Sequence, residues 1–427
     1  MTERRPGRSG RVGWRRFVGA VVVDTEPLRV SVPFRRLWFG LTVSQLGQQM
    51  TQVAVAIQVY DLTRSSFAVG LVGGVSLVPL VVFGLYGGAI ADVVDRRVLG
   101  VVTSCALWVL SGVLLAQALL GLGSVALVYV VVGLQAACFA VNNATRSAMI
   151  PRLVPPLLLP AANALGQISF NLGFTVGPLI GGAVIAVWHV QSAYGVDVVT
   201  FTAALYAMWR LPSIPPEGPA RRAGLRTVVE GFAYLGTRRN VLMTFLLDIG
   251  AMVLAQPRAL FPGLAAHVFG GGSRTVGLLM AAPAIGALGG ALFSGWLGRV
   301  RRQGLAVVLA VLAWGAAVTG FGLSSLLWLG VVLLAVAGCA DMVSAVYRNT
   351  IMQVASPDRM RGRLQGVFTA VVAGGPRLGD MRAGTVATWT GEPASVVIGG
   401  LACMVTTVLL AVGFPRFVRY DSHHPAA

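Results

Sequence analysis

The chain has 427 residues, 56% of them hydrophobic and only 11% charged, with a mean hydropathy of +0.77. That balance excludes a water-soluble globular protein and makes the bilayer the solvent for most of the sequence. A formal net charge of +18 would suit nucleic acid, but all 33 basic residues are arginine and 28 of them fall on one side of the spans assigned below. This positive-inside pattern excludes a nucleic-acid partner and puts both termini in the cytoplasm.

Residues 1–33 are expected to form a basic cytoplasmic arm. Six arginines from Arg4 to Arg16 precede an apolar run at 17–23, too short for a signal peptide and followed at once by Asp24 and Glu26. A membrane-crossing helix needs roughly 20 apolar residues. Six stretches approach that length in a first half covering 34–210, at 37–59, 69–90, 98–120, 125–145, 159–188 and 196–209. The sixth is short, and its outer end is weakly marked. A linker at 211–239 opens with Pro212, Pro215, Pro216 and Pro219. It continues with Leu225, Val228, Val229, Phe232 and Leu235 at helical spacing, an amphipathic helix expected to lie on the membrane surface. The second half, 240–414, has stretches at 241–261, 276–297, 305–323, 326–347, 364–388 and 394–413, and 415–427 is a cytoplasmic tail.

The halves are copies of one unit offset by 202 residues. Arg36 falls on Arg238; Gly87, Gly88 and Arg97 fall on Gly289, Gly290 and Arg299; Arg146 falls on Arg348. The expected fold is an all-α membrane protein with twelve transmembrane helices in two pseudo-symmetric six-helix bundles. Weak internal symmetry of this kind marks secondary transporters, in which two bundles rock about a central site. Four cysteines lie in apolar stretches and the four histidines form no ligand set, so neither a disulfide framework nor a metal site is expected. No nucleotide-binding loop or nucleophile constellation is present, which disfavours an ATPase or an enzyme.

Two motifs carry mechanism. The turn after span two holds Gly87, Gly88, Asp92, Arg96 and Arg97. Asp92 there is expected to accept hydrogen bonds from the start of span eleven, beside Arg361 and Arg363, and so latch the inner side shut; the alternative is a solvated turn that only fixes topology. In span five, Gly173, Gly177 and Gly181 recur every fourth residue and offer a flat packing face, with Pro178 favouring a kink and Gly182 completing a glycine pair.

Ionisable groups at membrane depth are functional candidates because they are costly there. They are Asp248 in span seven, Asp341 in span ten and Asp380 in span eleven, with Arg258, Arg377 and Arg382 as possible partners. Arg377 and Asp380, three apart, share a helix face and are either a pair that opens for a proton or substrate or a static lock. Asp248 has no partner close in sequence and would suit a proton carrier. Amide stripes add Gln45, Gln48, Gln49 and Gln52 in span one, Asn142 and Asn143 in span four, and Asn163, Gln167, Asn171 and Thr175 in span five. Facing lipid they would be costly, so they are expected to line a wet cavity with Phe139, Phe170 and Phe174.

With these residues in hand, the chain resembles a major facilitator superfamily transporter over 34–415. The turn at Asp92 is similar to that superfamily's signature loop, and the span-five string to the signature of drug:proton antiporters, which implies export. Arg146–Val154 with Ala162–Leu165, Arg361–Arg363 and Gly375–Asp380 resemble the enterobactin-exporter-like branch, which also holds macrolide-efflux-like proteins. Val93 and Asp95 depart from the superfamily loop. Gln135 stands where the antiporter pattern puts it, but Val132 replaces the arginine three residues before it, so that arginine's role in proton coupling does not carry over. The resemblance implies proton-driven export of a small organic molecule, a siderophore or related metabolite. Multidrug or macrolide efflux, or a non-transporting protein of the same fold, stays open. The expected partners are the cargo and the lipid bilayer, with the chain a monomer in the cell membrane that needs no cofactor beyond the proton gradient.

Overall fold

The computed structural model describes residues 24–91, 93–215, 238–293, 300–355 and 358–421, without the side chains of 85, 88, 89, 91, 353–355, 358–370 and 373. The basic arm at 1–23, Asp92 and most of the amphipathic linker therefore lie outside the described residues. What is described is helical, with no β-strand.

Short polar residues start the helices. Ser31 caps span one (Val32–Thr63), its hydroxyl accepting the Phe34 N–H at 3.2 Å with Pro33 in the first turn. Asp95 caps span three (Arg96–Leu119) and Ser124 caps span four (Val125–Leu153). Span two is Ser66–Ala91. Spans five and six form one helical run, Leu159–Trp209, reversed at Trp188 and His189, the latter at φ 62° and ψ 179°. Span six thus begins at residue 190 rather than 196. Pro178 keeps helical backbone angles, so the break lies at His189 and not at the proline.

Span seven is broken rather than continuous. Arg239–Ile249 passes through a π turn, Gly250–Leu254, and a 3-10 turn, Arg258–Leu260, before Phe261–His267. Spans eight to twelve are Ser273–Leu292, Gln303–Leu323, Leu327–Ala355, Asp358–Thr390 and Glu392–Gly413.

Nine helical segments among the described residues are long and apolar enough to cross a membrane, and one of them is the hairpin of spans five and six. Spans one and eleven have 32 and 33 residues but carry the glutamine stripe and the Arg377–Asp380 pair, which makes them too polar for that test. The arrangement accommodates twelve crossings, and the two most polar are those that bear candidate site residues. Outward-facing side chains such as Val78, Val199 and Leu409 are exposed, an apolar exterior suited to lipid.

The halves touch through glycines. A Cβ on Gly182 of span five would lie 2.5 Å from the Ser273 carbonyl oxygen, and one on Gly277 of span eight 2.4 Å from that of Pro178. On Gly70 and Gly384, where spans two and eleven cross, it would lie 2.4 Å from the Asp380 carbonyl oxygen and 2.6 Å from that of Ser66. Only glycine permits such backbone contact. Each crossing lies toward the face opposite the arginines. There Ser66 also donates to Glu392 at 3.0 Å, and His267 of span seven sits 3.3 Å from the Tyr60 hydroxyl and 3.8 Å from Glu392. Toward the arginine-rich face the contacts of Gly87 and Gly290, among the described residues, stay within one half. Gly87 packs on Val141 of its own half, and Leu292 and Phe293 are 83% and 78% exposed.

Candidate functional site

At the crossing of spans two and eleven, side chains from both halves converge. Arg377 donates through Nε to the Ser76 hydroxyl of span two at 3.2 Å. Asp380, one turn on, accepts the Ala259 N–H at 3.1 Å. That N–H is free because the break in span seven removes its helical acceptor. Arg258 lies in the same turn, with its guanidinium 6.0 Å from the Phe174 ring centre of span five. Arg258 and Arg377 both lie within electrostatic range of Asp380. Arg382 does not join them: it packs on Gly399 of span twelve, and its Nε has no hydrogen-bond partner.

The second charged group lies inside the C-terminal bundle. Asp248 is paired with Arg348, a hundred residues on in span ten, and both side chains are about 5% exposed. The same guanidinium reaches Asp341 at 3.5 Å. Arg348, which the hydropathy pattern places on the arginine-rich face, is thus buried, and two carboxylates share one arginine. Asp248 Oδ2, Ser344 Oγ and Arg348 Nε have no hydrogen-bond partner, which leaves polar valence for a proton or a water.

The amide stripes divide between cavity and packing. Gln52 and Gln167 are exposed at membrane depth and Asn171 is half-buried, accepting from Gln167 at 3.2 Å; along span five, Gln167, Asn171 and exposed Phe170, tilted 33° to Phe174 with ring centres 4.4 Å apart, form a polar and aromatic stretch. Gln45 and Gln49 instead sit against Gly173 and Gly177, where a Cβ would lie 2.5 Å from each side chain, and Gly181 packs on Met50. Gln49, 3% exposed, is therefore an interface residue rather than a cavity residue. Asn142 is also corrected: it is 4% exposed and donates to Thr103 at 2.8 Å and Ser104 at 3.0 Å inside the N-terminal bundle.

The turn after span two ties its own half together. Arg96 donates to the Ala148 carbonyl at 3.4 Å and Arg97 to that of Trp209 at 2.8 Å, both at helix C-terminal ends. Asp95 accepts from the Arg97 N–H at 2.8 Å, the Ile214 N–H at 3.3 Å and the Ser213 hydroxyl. Burial pushes its carboxyl up, but those hydrogen bonds outweigh it and hold it below the ordinary value. Asp92 and the Arg361 and Arg363 side chains fall outside the described residues, while Gly88 lies in the span-two helix.

One acid escaped the sequence reading. Asp197 of span six is 1% exposed, accepts the Ser111 hydroxyl at 2.8 Å and has no hydrogen-bond partner on Oδ1. It falls where hydropathy leaves the end of span six unmarked.

Comparison with known proteins places this geometry. The family model described as transmembrane secretion effector matches residues 24–424. The enterobactin exporter EntS of Shigella boydii is 30% identical over 412 residues, covering 95% of this chain and 97% of the relative, and the Escherichia coli O1:K1 protein of the same name matches equally. Among solved structures, the peptide transporter POT superimposes with a TM-score of 0.74 at 14% identity, covering 92% and 96% of the two chains. The nucleoside transporter NupG does so at 0.67 and 13%, covering 91% and 100%. These likenesses show the fold.

Proposed function

The chain belongs to the transmembrane secretion effector family of the major facilitator superfamily, and from that premise we propose that it exports a siderophore or related small metabolite by proton antiport. It is a multi-pass membrane protein whose relatives include exporters. The arginine-rich face is cytoplasmic, and the termini lie on that side. The monomer works without a cofactor.

The observation that carries this proposal is the contact across the halves at the charged cluster, Arg377 to Ser76 and Arg258 over Phe174, one turn from the Gly70 crossing. Cargo entering from the cytoplasm meets Phe170, Phe174, Gln52 and Gln167 and then this cluster. An ionised Asp380 accepts hydrogen bonds from hydroxyl or amide donors of the cargo. A proton arriving on it removes the charge and turns one acceptor oxygen into a donor, so cargo and proton compete for it, which antiport requires. The arginines then re-pair, and the glycine crossing beside them is the element that opens.

Inverted membrane vesicles with radiolabelled enterobactin as the probe test this. Uptake is expected only with an imposed proton gradient, is collapsed by a protonophore and is lost in Asp380→Asn. Uptake that persists without the gradient rejects antiport, and an iron-limited deletion strain with an unchanged exported-metabolite profile rejects the cargo class.

A further inference from the structure

The N-terminal bundle holds a polar seam that the central cluster does not use. Along span three, Thr103, Ser104, Ser111 and Gln117 are all 7% exposed or less and share one face. Each meets a polar partner inside the bundle. Near the face opposite the arginines, Gln117 and Gln58 of span one exchange hydrogen bonds at 3.0 and 3.2 Å, and the Tyr194 hydroxyl donates to Gln58 at 2.7 Å. Midway, Ser111 donates to Asp197 and accepts from Gln135 of span four at 3.3 Å. Toward the arginine-rich face, Asn142 bonds Thr103 and Ser104.

Asp197 is the only carboxyl on this seam among the described residues, and no cation faces it. The groups around it are Thr51 of span one, Ser111 of span three, and Tyr194 and Thr200 on its own span. Gln135 of span four stands behind Ser111. Its Oδ1 and the Thr51 hydroxyl both lack hydrogen-bond partners. Span one seals the group: a Cβ on Gly47 would lie 2.8 Å from Oδ1. An anion in such a place would lack both water and counter-charge, whereas the protonated acid needs neither and can use its O–H toward Thr51. The same Gln58 and Gln117 line a pocket of about 270 Å³, together with Asp61, His189 and Gln191.

We propose that Asp197 is a proton-binding site of the N-terminal bundle, loaded through the Gln58–Gln117–Tyr194 end of the seam and separate from the central cavity. The bond that forms is O–H on Oδ1, with the proton delivered by hydronium, which leaves water. It breaks when span one shifts at Gly47 away from Asp197 and water regains access to accept the proton. The role in coupling rests on the antiport reading; the protonation does not.

Infrared difference spectra of the purified full chain in detergent, taken between neutral and alkaline pH, test the site directly. The wild type is expected to show a protonated-carboxyl band that shifts in D2O and that Asp197→Asn removes. Ser111→Ala is expected to raise its frequency, because the bond to Oδ2 is gone. A band that survives Asp197→Asn overturns the site; if that variant does not fold, a band unmoved by Ser111→Ala overturns it. In inverted vesicles with enterobactin, Asp197→Asn is expected to lower gradient-driven uptake about tenfold or more while sparing cargo-for-cargo exchange. Protonophore-sensitive uptake unchanged in Asp197→Asn overturns its role in coupling and leaves antiport standing. Wild-type uptake indifferent to the protonophore rejects antiport instead, and the infrared band still decides Asp197.

Discussion

Arg348 pairs with the buried Asp248 and also reaches the partly exposed Asp341, so its removal strands the charge of Asp248. Arg348→Gln is expected to destabilise the protein by about 3–5 kcal/mol, the usual cost of breaking one side of a buried pair. Pairing it with Asp248→Asn should restore most of the lost melting temperature in detergent, and a double variant no more stable than the single one would disprove the pairing. At the membrane surface Asp95 makes a different prediction. Its native carboxyl lies below the ordinary 3.8, so the stability it contributes is present above that pH and is lost as pH falls through the native value. The gap in melting temperature between wild type and Asp95→Asn should be constant near neutrality and shrink in acid. A gap independent of pH would refute the role of its charge. Sequence inspection flagged Asp95 only as a departure from a family pattern, because its partners, Ser213 and Ile214, lie more than a hundred positions away.

Among the elements, spans two, five, eight and eleven bring the halves together, and glycine lets their backbones touch. Gly277→Leu puts a side chain where the Pro178 carbonyl already sits, so it should drive spans five and eight apart on the face opposite the arginines. Cysteine accessibility from that face is expected to rise at residues near 182, and no change would show that the crossing does not control closure. Span positions were legible from hydropathy because lipid demands long apolar runs. Two elements were not. Span seven is broken by a π turn and a 3-10 turn that its composition does not announce, yet that break frees the N–H that holds Asp380. Span six was misplaced because its turn uses only two residues, Trp188 and His189, with none of the Gly, Pro or Asn that mark loops. The same gap hid Asp197. Stripe residues were found by spacing alone, but spacing cannot say whether a glutamine faces water or a neighbouring glycine, and Gln49 and Asn142 went to neighbours.

For the molecule as a whole, chemistry is divided unequally between the halves. Both arginine–aspartate clusters belong to the C-terminal bundle, whereas the N-terminal bundle carries hydroxyls, amides and one acid without a counter-ion. The turn at His189 joins these two chemistries mechanically. Because no slack chain separates spans five and six, they behave as a stiff crank with one arm at the Gly182–Gly277 seal and the other bearing Asp197. Turning one arm must swing the other. Lengthening that corner by a few flexible residues should therefore let the seal part without disturbing the acid, uncoupling door from lock in a protein whose contacts are otherwise intact.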